Sequence, residues 1–322
     1  MYLIKNIITN LQKNKKLLIL LILLITIVIA GLILLVLFVF KKSYRNSYRN
    51  SYGFLNENFE SDSNNINNIN NINISKDNLF SSVVVVGTAR NIEKFLPTTL
   101  NNIQMICNCF QKSNVIIYEN DSNDKTLEML QDWAKQNANT EIITETNIQG
   151  LRAQRIAHGR NIVMKKALEL NTEYIVVMDL DDVNDKLSKD AFLSTLNITD
   201  IDWAAMTANQ SDKYYDLWAL RTYDDWMPFD CWECVHKEKK SEQMCVNDRY
   251  KHIDENEKPI LVKSAFGGLG IYKTKYLANG IYDGGKDNNE ICEHVSFSEN
   301  IIKNGGKVYI NPKLINSVGI RM

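Results

Sequence analysis

Tyr174-Ile175-Val176-Val177-Met178-Asp179-Leu180-Asp181-Asp182 is an uninterrupted apolar run that breaks off into three carboxylates. β-Branched and bulky residues without a polar break read as a strand buried on both faces. In an open α/β sheet, ligands bind at the carboxyl ends of such strands. Three carboxylates this close repel one another unless a cation neutralises them, and their hard oxygens suit Mg²⁺ or Mn²⁺ shared with a diphosphate. The plain alternative is a solvated acidic turn after a core strand, and this segment alone does not decide between the two.

Outward from it, strands alternate with helices. Residues 82–86 (Ser-Val-Val-Val-Val) read as a strand closed by Gly87-Thr88-Ala89-Arg90-Asn91. Helical spacing over 95–110 begins near Pro97, and strand patterns follow at 115–118 and 141–144, separated by a helix at 127–134. A long helix over 152–170 leads into the quoted strand. This alternation predicts a mostly parallel, layered sheet. The second half reads as mixed, with strands at 202–207, 215–221, 268–272 and 307–310. Residues 222–259 look irregular, and their Trp226, Phe229 and Trp232 either form a sugar-stacking loop or cap the core.

The chain has 322 residues and a formal net charge of −1, so nothing in its balance points to nucleic acid. Residues 17–40 carry no charge and are long enough to cross a bilayer, and no small-residue cleavage site follows them. They read as a signal-anchor after a short tail, 1–16. Lys5, Lys13, Lys15 and Lys16 before the span balance Lys41, Lys42, Arg45 and Arg49 after it, so charge leaves orientation open. The short N-terminus suggests a single-pass, type II arrangement with the folded part in the ER or Golgi lumen. Residues 41–79 repeat Ser-Tyr-Arg-Asn and Asn-Asn-Ile and read as a low-complexity stem. The folded domain is expected over 80–322, in two halves, 80–182 and 183–322.

Val83–Asn91, Tyr118–Thr126, the helix carrying Arg155 to Asn161, and Asp179–Asp182 together resemble the GT-A-fold glycosyltransferases, most closely the fungal capsule-associated α-1,3-mannosyltransferase group. The resemblance covers residues from 80 onward. It implies a Rossmann-like nucleotide-binding half joined to a mixed-sheet acceptor half. It also implies transfer of a hexose, mannose above others, from a nucleotide sugar such as GDP-mannose to a glycan. On this reading Asp181 ligates Mn²⁺ or Mg²⁺, Asp179 holds the ribose or a metal-bound water, and Asp182 is a spare ligand or meets the acceptor. Asp121 would hold the base or ribose, Arg90 would pair with phosphate, and Arg155, Arg160 and Asn161 would present donors toward the phosphates or the Asp tract. Gly87 and Ala89 are small enough for close approach to a nucleotide. Phe266-Gly267-Gly268 would run beside the sugar, or else form a tight turn. Cys292-Glu293-His294 stands where many GT-A enzymes carry a Glu-Asp pair. His294 would be a nitrogen ligand to the metal or a base, and Glu293 would touch the acceptor hydroxyl or the donor sugar. A non-catalytic carbohydrate binder on the same fold is the alternative.

Of six cysteines, Cys231, Cys234 and Cys245 lack the paired spacing of a structural zinc site. One bridge, from Cys245 to Cys231 or Cys234, is expected instead.

Overall fold

A computed structural model of the protein describes residues 79–319. The expected tail, signal-anchor and stem lie outside the described residues, apart from Leu79. Among the described residues no helix is long and apolar enough to cross a membrane.

Strands β1 (Phe80–Ala89), β2 (Phe110–Asn120), β3 (Thr140–Glu145) and β4 (Tyr174–Asp179) run parallel in the order 3-2-1-4. They are connected through helices α1 (Leu96–Cys107), α2 (Thr126–Gln136) and α3 (Arg152–Glu169). Pro97 opens α1, where its missing N–H costs nothing. Alternation in these strands feeds two cores. Val84, Val86, Ile116, Ile175 and Val177 pack with Ala157, Val163 and Met164 of α3. Val83, Val85, Val115, Ile117, Val176 and Met178 pack on the opposite face with Leu96, Ile103 and Ile106 of α1. Burial on both faces is why these strands read as continuous apolar runs instead of alternating ones.

The second half extends the same sheet. Strand β8 (Leu269–Lys273) pairs antiparallel with β4 on one side and with β5 (Ala205–Gln210) on the other. Next to β5 lies β11 (Val308–Ser317), and beyond it β7 (Ile260–Ser264) and β6 (Arg221–Thr222) complete nine strands. A two-stranded ribbon, β9 (Gly285–Lys286) with β10 (Asn289–Glu290), stands apart. Helix α4 (Lys189–Leu196) lies on β11, and α7 (Glu293–Lys303) packs on β7.

Three expectations need correction here. Residues 215–221 are not a strand: Leu217 N–H bonds the carbonyl of Tyr215, and only Arg221 and Thr222 join the sheet. Turn geometry, not a ladder, buries Leu217, Ala219 and Leu220. The strand expected at 202–207 starts at Ala205 and runs on through Asn209 and Gln210, both buried. Residues 222–259 are not structureless, since they hold α5 (Cys231–His236) and α6 (Glu242–Cys245), joined by a Cys234–Cys245 disulfide. That bridge is one of the two pairings expected.

The Gly267-Gly268 pair forms a left-handed turn, with φ of 65° and 85°. A Cβ on Gly268 would sit 2.5 Å from Val183 Cγ2, just after the acidic tract. Gly268→Ala therefore combines backbone strain with overpacking and is expected to cost ~1–3 kcal/mol. An unchanged urea midpoint would show that the turn does not need its glycine.

Candidate functional site

The carboxyl ends of β1, β2 and β4 meet the first turn of α3 around a cavity of about 280 Å³. Its wall includes Ala89, Arg90, Asn120, Arg152, Arg155, Asp179 and Asp181. The wall thus gathers three arginines and two aspartates, an arrangement that suits an anionic ligand bridged to acid groups.

Arg160 is the buried centre of the site. Its Nη2 donates to Asp179 Oδ1 at 2.6 Å and its Nε to Glu293 Oε1 at 3.2 Å. Burial opposes its charge, but Asp179 and then Glu293 overrule burial and hold its pKa above the usual value. Glu293 itself is pushed up by burial, with Arg160 pulling the other way. Asp181 is half-buried. Burial, and then the charges of Asp179 and Asp182, push its carboxyl up to about 6. Asp182 opens a 3₁₀ turn, Asp182–Asn184.

The acidic tract is held from behind by buried amides. Asn184 Nδ2 donates to the carbonyls of Asp179 (2.8 Å) and Gly268 (3.0 Å). Asn316 Nδ2 donates to Asn184 Oδ1 (2.9 Å) and to the carbonyl of Gly267 (2.7 Å), which Gln210 Nε2 also reaches. Asp216 Oδ2 accepts from Gly267 N–H at 2.9 Å, and burial raises this carboxyl to about 6. A fully connected network of this kind fixes geometry.

Several expected residues fall elsewhere. His294 is buried and is not grouped with Asp179 and Asp181 among the described residues. Among the described residues no three His, Cys, Asp or Glu side chains are grouped to hold a metal. The imidazole instead stacks on Phe266 with centroids 3.7 Å apart, and burial, then Arg160, lowers its pKa well below the usual value. Glu293 is 6% exposed and bonded to Arg160, so it steadies that cation. Asp121 does not line the cavity. Its carboxylate accepts from the N–H groups of Asn147 (2.6 Å) and Ile148 (3.2 Å), and its neighbour Asn120 takes the wall position. Gly87 makes room for Leu180 and the Met178 carbonyl, each 2.8 Å from where a Cβ would be, and not for a ligand. Asn161 exchanges two hydrogen bonds with the backbone of Tyr282.

Arg152, Asp216 and the amide network were missed. Arg152 had a signal, as the first residue of a helix that starts where strands end. The amides had only their oddity, polar side chains within otherwise buried strands.

A parallel 3-2-1-4 sheet with an acidic tract at its strand ends and an antiparallel β8 beside it is the architecture that the GT-A resemblance implies. Residues 82–302 match the family model described as Cryptococcal mannosyltransferase 1, and the chain belongs to that family. Among solved structures it is similar to the mannosyltransferase PcManGT from Pyrobaculum calidifontis in complex with GDP-Man and Mn²⁺. Identity there is 15%, over 74% of this chain and 57% of that one, with a TM-score of 0.44. It is also similar to S. aureus TarS 1–349 in complex with UDP-GlcNAc, at 15% identity, 76% and 59% coverage and a TM-score of 0.46. For GalNAc-T7 with UDP, GalNAc and Mn²⁺ the values are 17%, 76%, 45% and 0.45. The chain thus spans less than two thirds of each of these structures. Comparison with the curated proteins gives no match.

Proposed function

We propose that the protein transfers a hexose, mannose above others, from a nucleotide sugar to a glycan acceptor, with GDP-mannose as the favoured donor. The observation that carries this reading is the cavity whose wall gathers Arg90, Arg152 and Arg155 with Asp179 and Asp181. The family membership supports mannose as the sugar.

A divalent cation fits the site. Asp181 is crowded by two like charges and raised to about 6, a donor that a hard cation relieves. Asp181, with Asp179 beside it, would hold Mn²⁺ or Mg²⁺, which when bound neutralises the diphosphate and favours its departure. Arg90, Arg152 and Arg155 bind and orient the diphosphate. Arg160 fixes the Asp179 carboxylate toward one rotamer and keeps Glu293 in register behind it. Asp182, on the turn after the tract, is assigned to the acceptor hydroxyl. We further assign residues 17–40 as a membrane anchor and the catalytic domain to the ER or Golgi lumen. The Cys234–Cys245 bridge supports an oxidising compartment.

Nucleoside-diphosphate release by the full chain in detergent, from a panel of sugar nucleotides, tests this. Release is expected from GDP-mannose above other donors and is expected to stop when EDTA removes the metal. No release from any donor rejects sugar transfer, and undiminished release in EDTA rejects the cation.

A further inference from the structure

A second cavity, about 440 Å³, shares no lining residue with the arginine-lined one and falls within the ~300–1,000 Å³ typical of small-ligand sites. Its wall carries two tryptophans, Trp218 and Trp232, with Asp230, Glu233, His236, Lys237 and Glu290 around them. The sequence left three aromatics of the 222–259 segment undecided between a sugar-stacking loop and a core cap. Two of them go inward: Trp226 donates its indole N–H to the carbonyl of Arg249 at 2.8 Å, and Phe229 lies under the Arg249 guanidinium. Trp232 stays 37% exposed, its ring parallel to that of His236. Trp218, from the segment expected to be a strand, supplies the second ring.

The platform is held rigidly. Arg221 pairs with Asp230 and donates to the carbonyl of Trp218 at 2.9 Å. Asp230 Oδ1 accepts from the N–H groups of Trp232 and Glu233, both at 3.0 Å, so one ion pair fixes both aromatic segments. The disulfide at Cys234 pins the same helix to α6. On the far wall, Glu290 accepts from Ala153 N–H in the first turn of α3, the turn that also carries Arg152 and Arg155 into the donor cavity. Glu290 stands three residues before Glu293.

Aromatic faces present an apolar surface to the C–H side of a pyranose, and carboxylates accept from its hydroxyls. The charges on this wall are paired, Asp230 with Arg221 and Glu233 with Lys237, and no arginine lines it, so it suits an uncharged ligand rich in hydroxyls. We propose that the Trp218–Trp232 cavity is the acceptor subsite, seating a neutral hexose unit of the glycan beside the donor site. This deepens the function proposed above and rests on it for the word acceptor.

The test measures direct binding, so it does not depend on the donor assignment. Saturation-transfer NMR and intrinsic fluorescence titration with α-mannotriose would be run on the full chain in detergent, with and without GDP and Mn²⁺. Binding by the wild type is expected, at least about tenfold weaker in Trp232→Ala and kept in Trp232→Phe, with an unchanged unfolding midpoint because Trp232 is exposed. Mannose 6-phosphate is expected to bind more weakly than mannose. Equal mannotriose affinity in Trp232→Ala, no wild-type binding under either condition, or a preference for the phosphorylated sugar would overturn the assignment. If no sugar nucleotide releases its diphosphate while Trp232→Ala still loses mannotriose, the catalytic reading fails and the sugar subsite stands.

Discussion

Asp181→Ala is expected to lower sugar transfer at least about a thousandfold, equivalent to ~4 kcal/mol of lost transition-state stabilisation. Asp181 is the carboxylate assigned to the cation, and its crowding by Asp179 and Asp182 leaves no neighbour able to replace it without the same repulsion. The fold should survive. For an acid whose folded pKa is raised, the folded state binds more protons than the unfolded one, so stability falls as pH rises through that window. For Asp181 the window runs from 3.8 to about 6. At neutral pH the ionised side chain therefore works against the metal-free fold, and Asp181→Asn should be more stable by ~1–3 kcal/mol while remaining inactive. Diphosphate release and urea midpoints at pH 5 and pH 7.5 read both effects. A wild-type rate in Asp181→Ala would move the chemistry elsewhere.

Arg160→Met is expected to destabilise the protein by ~3–5 kcal/mol, the cost of leaving a buried charge without its partner. Arg160 is 3% exposed and serves Asp179 and Glu293 at once. Removing it strands Glu293 in an apolar setting and frees Asp179 to turn away from the cavity, so turnover should fall as well. Arg160→Lys should recover little, because a point ammonium cannot span the two carboxylates as the fork does. The double variant Arg160→Met with Glu293→Gln should regain part of the lost stability, since one of the orphaned charges is gone. Denaturant unfolding of the four proteins in that cycle gives the coupling. Additive losses would mean that Arg160 and Glu293 do not act as a unit.

Much of this arrangement could be read from the chain. The runs at 82–86, 115–118 and 174–178 located β1, β2 and β4, because burial on both faces leaves no polar residue to blur them. The acidic tract announced itself by following such a run. What periodicity could not convey was destination. Leu217, Ala219 and Leu220 are buried in a turn just as they would be in a strand, so their pattern misled. Asn209 and Gln210 look like loop residues and are in fact buried strand positions. His294 sits next to Glu293 in sequence, yet the helix carries its ring under Phe266, a contact set by tertiary packing alone. Trp226 and Trp232 are the same residue type a few positions apart, and only the course of α5 sends one inward and one out.

The position of β11 has a consequence for how the protein is made. The last of the described strands inserts between β5 and β7, and its Asn316 closes the amide network behind the acidic tract. A ribosome delivering this chain can finish β1 to β4 early, but the catalytic corner stays unbraced until residues near 316 have emerged. Nascent chains stalled before that point should expose an open β5 edge and depend on chaperones, and truncated translation products should be cleared instead of working at reduced rate.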